Sequence, residues 1–325
     1  MARTAKKITS KKTSAKKPAP PRIAQPKPGE LVTLLDHVRY AMTRFAQGDV
    51  VHAHGTIDPM AEAIFLICAV LHLHPDQFET FVQARLTHAE AARVIDLIET
   101  RVRTRKPAAY LVNMIYMRGL KFYVDERTIV PRSFIGEILD THFAGDDGSL
   151  IEDPQGVEHV LDLCTGSGCL AILAARAFPF AKIDAVDISK DALAVAARNV
   201  ADYELGERIS LHRGDLFAPL GEQRYDLIIT NPPYVDAEGM ASLPRECLSE
   251  PRIAFDGGAD GIDLVRTILD QARAYLNPDG GLLCEVGRCR PALEDAYPNL
   301  PFLWIDTEDS EGEVFWLPAE ALDPQ

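Results

Sequence analysis

The chain reads as an α/β protein: a mostly parallel sheet with helices on both faces, closed by an antiparallel hairpin and preceded by a small helical domain. Three features predict this. After Val157 short apolar runs alternate with helical stretches, the pattern of a parallel sheet covered on both sides. A glycine-rich loop, Asp162 to Gly168, lies between one such run and the next helical stretch. The last two apolar runs, PFLWID and EVFWLP, flank the acidic, Gly-containing turn TEDSEG and so read as a hairpin.

Taken in order, residues 1–30 are rich in Lys, Ala and Pro and hold almost nothing to bury, so they are expected to be a disordered basic tail. From Leu31 the pattern turns helical, with Leu31, Leu34, Leu35, Val38, Met42 and Phe45 at helical spacing and Gly48 as a stop. Met60 to Leu73 and His88 to Arg103 read as further helices, the first capped by Asp58 with Pro59 at its first position. Residues 31–108 thus form a helical domain. Residues 109–132 carry NMIYMRGLKFYVDERTIV, two strands hinged near Arg118-Gly119, a linking hairpin. Residues 133–325 hold the sheet: EHVLDL, KIDAVDI, ISLHRGD, YDLIITN and GGLLCEVG, then the closing pair.

Composition bounds the function. The net charge of −14 averages two unlike parts. Nine of the 34 Lys/Arg but only one of the 48 acidic residues fall in residues 1–30, which leaves +8 on the tail and −22 on the body. An acidic body repels a nucleic-acid backbone and attracts a basic protein, or it only aids solubility. No apolar run is long enough to span a bilayer; the best, Ala61 to Leu73, carries Glu62 and His72. The six cysteines show neither a Cys-x-x-Cys pair nor metal spacing, and the lysines at the start lack an apolar stretch behind them. Reduced, mostly buried thiols in a cytoplasmic protein without a metal are expected. The histidines, His52-x-His54 and His72-x-His74 included, form no ligand spacing, and Trp304 and Trp316 read as core.

Two stretches carry chemistry. In Asp162-Leu163-Cys164-Thr165-Gly166-Ser167-Gly168, backbone N–H groups at a helix start can face a ligand. Read through Ala171, the same loop also fits a dinucleotide fingerprint. Asp187 ends the next strand, where a carboxylate can take both ribose hydroxyls. Asp215 ends the third, placed for an exocyclic amine, with Leu216 and Phe217 to pack on the ring. These aspartates could instead only cap helices. Asn231-Pro232-Pro233-Tyr234 follows the strand DLIIT, at the sheet edge where open α/β folds bind ligands. The prolines remove two donors and leave carbonyls and the Asn side chain. The Asn231 Oδ1 and the Pro232 carbonyl can accept both hydrogens of a planar NH₂ group, and Tyr234 can stack on it. Asn-Pro alone is a common turn; the whole tetrapeptide at this place is not.

The set DLCTGSG, AVDIS, GDLF and NPPY resembles the class I methyltransferases that use S-adenosyl-L-methionine (AdoMet). It is most similar to the protein-glutamine N5-methyltransferase family, which methylates the side-chain amide of glutamine. RKPAAYL, VPR, EPR with DGG, and CEVG agree with that likeness, which spans about residues 31–320. Pro131-Arg132-Ser133-Phe134 lacks the Thr-Glu pair of the branch acting on release factors, and VDERTIVPRS is similar to the branch acting on large-subunit ribosomal protein three. Cys164 stands where that loop often has glycine, and Phe134 where proline is usual.

The resemblance implies a Rossmann-like sheet and AdoMet held by Asp162, Cys164, Thr165, Gly166, Ser167, Gly168, Asp187, Asp215, Leu216 and Asn231. It implies a substrate amide at Asn231, Pro232 and Tyr234, and as partner a basic ribosomal protein, free or in an assembly intermediate. Arg132 and Glu250 are expected near the site as domain-junction or loop-orienting groups, or as a structural ion pair. Three other readings compete: a nucleic-acid amino-methyltransferase, a nicotinamide dehydrogenase, and a non-catalytic ribosome-binding module. The acidic body opposes the first, the tetrapeptide the second, and the intact site residues the third.

Overall fold

A computed structural model describes residues 26–52, 54, 58–143 and 148–323. Most of the expected tail, residues 1–25, lies outside the described residues. Residues 27–30 close a turn, with Glu30 N donating to the Lys27 carbonyl at 3.0 Å.

The helical region opens at Leu34–Gln47 rather than Leu31, because the Thr33 hydroxyl and the Asp36 carboxylate form a capping box there. Its buried stripe runs through Leu34, Val38, Ala41 and Phe45; Leu35 turns out to solvent at 44% exposure. The helix Pro59–Leu71 starts on Asp58, whose side chain accepts from the backbone of Met60 and Ala61. Its end comes at His72, in the left-handed conformation. With His88–Thr104 these helices share one apolar core. Two short strands follow, β1 (Ile115–Met117) and β2 (Leu120–Phe122), paired antiparallel. They turn at Arg118 and Gly119, both with positive φ.

The main sheet comprises β3 (His159–Leu163), β4 (Lys182–Asp187), β5 (Ile209–Arg213), β6 (Tyr225–Thr230), β7 (Leu276–Glu285), β8 (Leu303–Thr307) and β9 (Ser310–Pro318). Its order is β5-β4-β3-β6-β7-β9-β8; the first five are parallel, and β9 lies antiparallel between β7 and β8. The β8–β9 turn is tighter than TEDSEG suggests, since Thr307 already pairs with Ser310. Successive residues face opposite ways and fill two cores. Val160, Leu227 and Ile229 pack under Cys169–Ala177, while Leu161, Ile228 and Leu282 pack under Asp263–Tyr275. Trp316 is buried, but Trp304 is half-buried beneath the Arg290 guanidinium, 4.4 Å from its ring centre. All six thiols are free.

The chain runs from β3 out to β5 and then returns to β6 on the other side. The carboxyl ends of β3 and β6 therefore border the crevice where the strand order reverses, the ligand position of open α/β sheets. Leu163 pairs with Thr230, so the glycine loop and the Asn-Pro-Pro-Tyr segment leave the sheet side by side.

Candidate active site

A cavity of about 290 Å³ opens at that crevice. Cys164, Gly166, Asp187, Asp215, Leu216 and Asn231 line it. The other loop residues named from sequence stand behind this wall. Asp162 is fully buried; one carboxylate oxygen accepts the Thr165 hydroxyl at 2.5 Å and the Ala171 N–H at 3.0 Å. Burial pushes its carboxyl up to about 7. Asp162 therefore braces the loop from below, with Thr165 as its partner. Ser167 is buried, and its carbonyl accepts from Asn199 Nδ2 at 2.8 Å. Gly168, with φ +79°, lets the following helix approach Ala196, whose Cβ would lie 3.2 Å from an added methyl. Cys164 also has positive φ, +59°, which accounts for glycine being usual there.

Asp187 ties the loop to the next strand end. One oxygen accepts Gly166 N–H and the other Ser189 N–H, both at 2.8 Å. Each oxygen retains a second lone pair for a hydroxyl. Burial raises this carboxyl, against the two backbone donors. Asp215 is exposed at the cavity wall with Leu216 beside it. Phe217 does not join them, contrary to expectation: it is buried and stacks on Tyr275 at 4.6 Å. The apolar side of the helix Asp263–Tyr275 draws it into the core instead.

On the β6 side, Asn231 Nδ2 donates to the Arg132 carbonyl at 3.0 Å, which orients the amide plane. Pro232 is buried, and it is Pro233 that reaches the cavity wall. The Tyr234 hydroxyl donates to Glu285 Oε1 at 3.1 Å. Burial and the nearby Glu285 charge push this phenol well above its ordinary range. Gly287 makes the seat for the ring; with φ +51°, any Cβ there would fall 2.6 Å from it. The segment after Tyr234 is then covered by residues 251–257. Val235 N donates to the Phe255 carbonyl at 2.8 Å, and Gly257 N to the Val235 carbonyl at 3.0 Å.

Arg132 and Glu250 meet as expected, at 3.3 Å. Glu250 also accepts the Val130 N–H at 2.9 Å and faces His54 Nε2 at 2.8 Å. His54 comes from the helical region, 196 residues earlier. Glu246 makes a second crossing, accepting Val51 N–H at 2.9 Å and Arg105 Nε at 2.7 Å. Burial alone would raise Glu250, but His54 and Arg132 outweigh it and hold the carboxyl below its usual value. His54, Cys247 and Glu250 bring one potential ligand atom each within 4.8 Å of one another, a grouping that sequence spacing did not show. The second Glu250 oxygen already faces a cation, Arg132, so the group reads first as a tie between the helical region and the sheet region.

Sequence reasoning missed Arg127 and Ile129, which reach the cavity from the linking segment, and Ile253 from the covering loop. The only signal near them was the likeness to known stretches of VDERTIVPRS, which holds Arg127 and Ile129, and of EPR, which ends one residue before Ile253. Glu285, fully buried beneath Tyr234, was likewise visible only within CEVG.

The cavity suits an adenosine-bearing cofactor, with a carboxylate at each of two neighbouring strand ends and the glycine loop at the end of the next strand, β3. Comparison with known proteins narrows the chemistry. A family model described as methyltransferase small domain matches residues 149–250. A curated ribosomal protein uL3 glutamine methyltransferase from Bradyrhizobium diazoefficiens is 67% identical, over 97% of this chain and 99% of that one. The chain belongs to this family of glutamine methyltransferases. A relative of the same name from Bordetella pertussis is 49% identical over 90% of this chain and 97% of its own. A solved methyltransferase from Pyrococcus furiosus matches with a TM-score of 0.43 at 16% identity, over 70% of this chain and 95% of that one. The chain is thus a methyltransferase that uses AdoMet as its cofactor. Among the described residues no helix is long and apolar enough to cross a membrane.

Proposed function

We propose that this methyltransferase transfers the methyl group of AdoMet to the side-chain amide nitrogen of a glutamine in ribosomal protein uL3, in the cytoplasm. The observation that carries the reading is the Asn231 amide, oriented by the Arg132 carbonyl at the wall of the cavity and next in sequence to Pro232. Cys164, Gly166, Asp187, Asp215 and Leu216 would hold the cofactor, with Thr165, Ser167 and Gly168 shaping the loop and Asp162 bracing it. When bound, AdoMet supplies an electrophilic methyl on a sulfonium.

The protein's task is then mostly positional, because the amide lone pair is delocalised and the nitrogen is a weak nucleophile. Holding the nitrogen in line can supply up to ~7–11 kcal/mol in favourable intramolecular cases. Asn231 Oδ1 and the Pro232 carbonyl accept its two hydrogens, which turns its face to the methyl and adds electron density as charge develops. Tyr234 stacks on the amide plane. After transfer the proton leaves to water.

The body of −22 suits a basic ribosomal protein, free or in an assembly intermediate, and disfavours nucleic acid as substrate. The test uses the purified enzyme and labelled AdoMet with separately purified uL3, release factors and oligonucleotides. Label on uL3 that disappears in Asn231→Ala is the expected result. Label on a release factor would keep the chemistry and overturn the substrate. Label on the oligonucleotide alone would overturn the amide reading.

A further inference from the structure

Residues 130–134 pass behind Asn231, which lines the cavity, as a strap held at both ends by buried carboxylates. At one end Glu250 accepts the Val130 N–H at 2.9 Å and faces the Arg132 guanidinium at 3.3 Å. At the other, Glu285 Oε2 accepts the Ser133 hydroxyl at 2.7 Å and the Phe134 N–H at 3.0 Å. Between these anchors lies the Arg132 carbonyl, the acceptor that orients Asn231. The remaining Glu285 oxygen accepts the Tyr234 hydroxyl at 3.1 Å. A single side chain, 1% exposed at the end of β7, therefore touches both the strap behind Asn231 and the aromatic residue of the clamp.

We propose that Glu285 is the positioning residue of the amide clamp, setting Asn231 through the strap and Tyr234 directly. The inference rests on the reading of Asn231 and Tyr234 given above. Three donors converge on Glu285, two on one oxygen and one on the other. A carboxylate has lone pairs for all of them, whereas a glutamine of the same shape offers one acceptor oxygen and adds two donors. One side of the arrangement must then lose its partner. Displacements of about 1 Å in a supporting shell cost on the order of 100-fold in rate, and the AdoMet side shares none of these bonds. Glu285 itself makes no contact with substrate; its effect passes through the two clamp residues.

The experiment compares Glu285→Gln, Tyr234→Phe, the double variant and Asn231→Ala in the full-length enzyme. Steady-state kinetics use purified uL3, and AdoMet affinity is read by calorimetry. Glu285→Gln is expected to lower kcat at least about tenfold with AdoMet affinity unchanged within about twofold. The double variant is expected to lose less than the product of the single losses, because Glu285 and Tyr234 share a hydrogen bond. Should Glu285→Gln fail to fold, Ser133→Ala serves in its place, with a kcat loss of at least about threefold at unchanged AdoMet affinity. The inference is overturned if the variant that folds keeps the parent kcat, or if kcat and AdoMet affinity fall together. An active Asn231→Ala would overturn the clamp reading itself. An inactive Asn231→Ala beside a fully active Glu285→Gln would overturn only the role of Glu285.

Discussion

The glycine loop and the Asn-Pro-Pro-Tyr segment proposed as the amide clamp sit side by side at the ends of neighbouring strands, yet they are built over different distances along the chain. The loop is held by partners close in sequence: Thr165 by Asp162 three residues away, Ala171 by the same carboxylate at nine, and Gly166 by Asp187 at 21. The clamp depends on remote ones. Asn231 is oriented by Arg132 across 99 residues, and Tyr234 by Glu285 across 51. Behind them Glu285 reaches Ser133 across 152 residues, and Glu250 reaches His54 across 196. A cofactor common to many substrates can be met by a local unit. The Asn-Pro-Pro-Tyr segment, by contrast, takes its partners from segments far away in the chain.

If the two halves are separable, substitutions on each side should move different constants. The largest effect is expected for Asn231→Ala: turnover should fall about 100-fold or more, while calorimetric AdoMet affinity stays within about threefold. Equal losses in both would merge the two halves and refute the assignment. Asp187→Ala should do the opposite, weakening AdoMet about 10- to 100-fold through the loss of charged hydrogen bonds. Its kcat at saturating AdoMet should stay within about tenfold of the parent; a dead enzyme with normal AdoMet binding would refute the division.

The smallest effect concerns the loop backbone alone. Cys164 holds φ +59°, so Cys164→Gly should melt above Cys164→Ala, by about 1 kcal/mol of stability. The reverse order in thermal melts would show that the thiol's packing, not backbone strain, governs this position.

Much of the fold was legible. The Asp58-Pro59 start, the hinge at Arg118-Gly119 and the strand–helix alternation each depend on local propensity, and each is found. Leu35 and Phe217 were misplaced because helical spacing and adjacency say which residues are near a surface, not which neighbour claims them. Leu35 lies just off the stripe, and Phe217 is captured by Tyr275.

The sequence by itself determined the sheet, the glycine loop and the place of Asn-Pro-Pro-Tyr at a strand end, because these follow from periodicity, backbone conformation and residue chemistry over a few positions. Only the tertiary structure decided that Asp162 supports the loop from within, that His54 joins Cys247 and Glu250, and that Glu285 lies under both Asn231's strap and Tyr234. Those pairings are set by strand order and domain packing, which bring remote carboxylates together in a dry interior where each needs a partner.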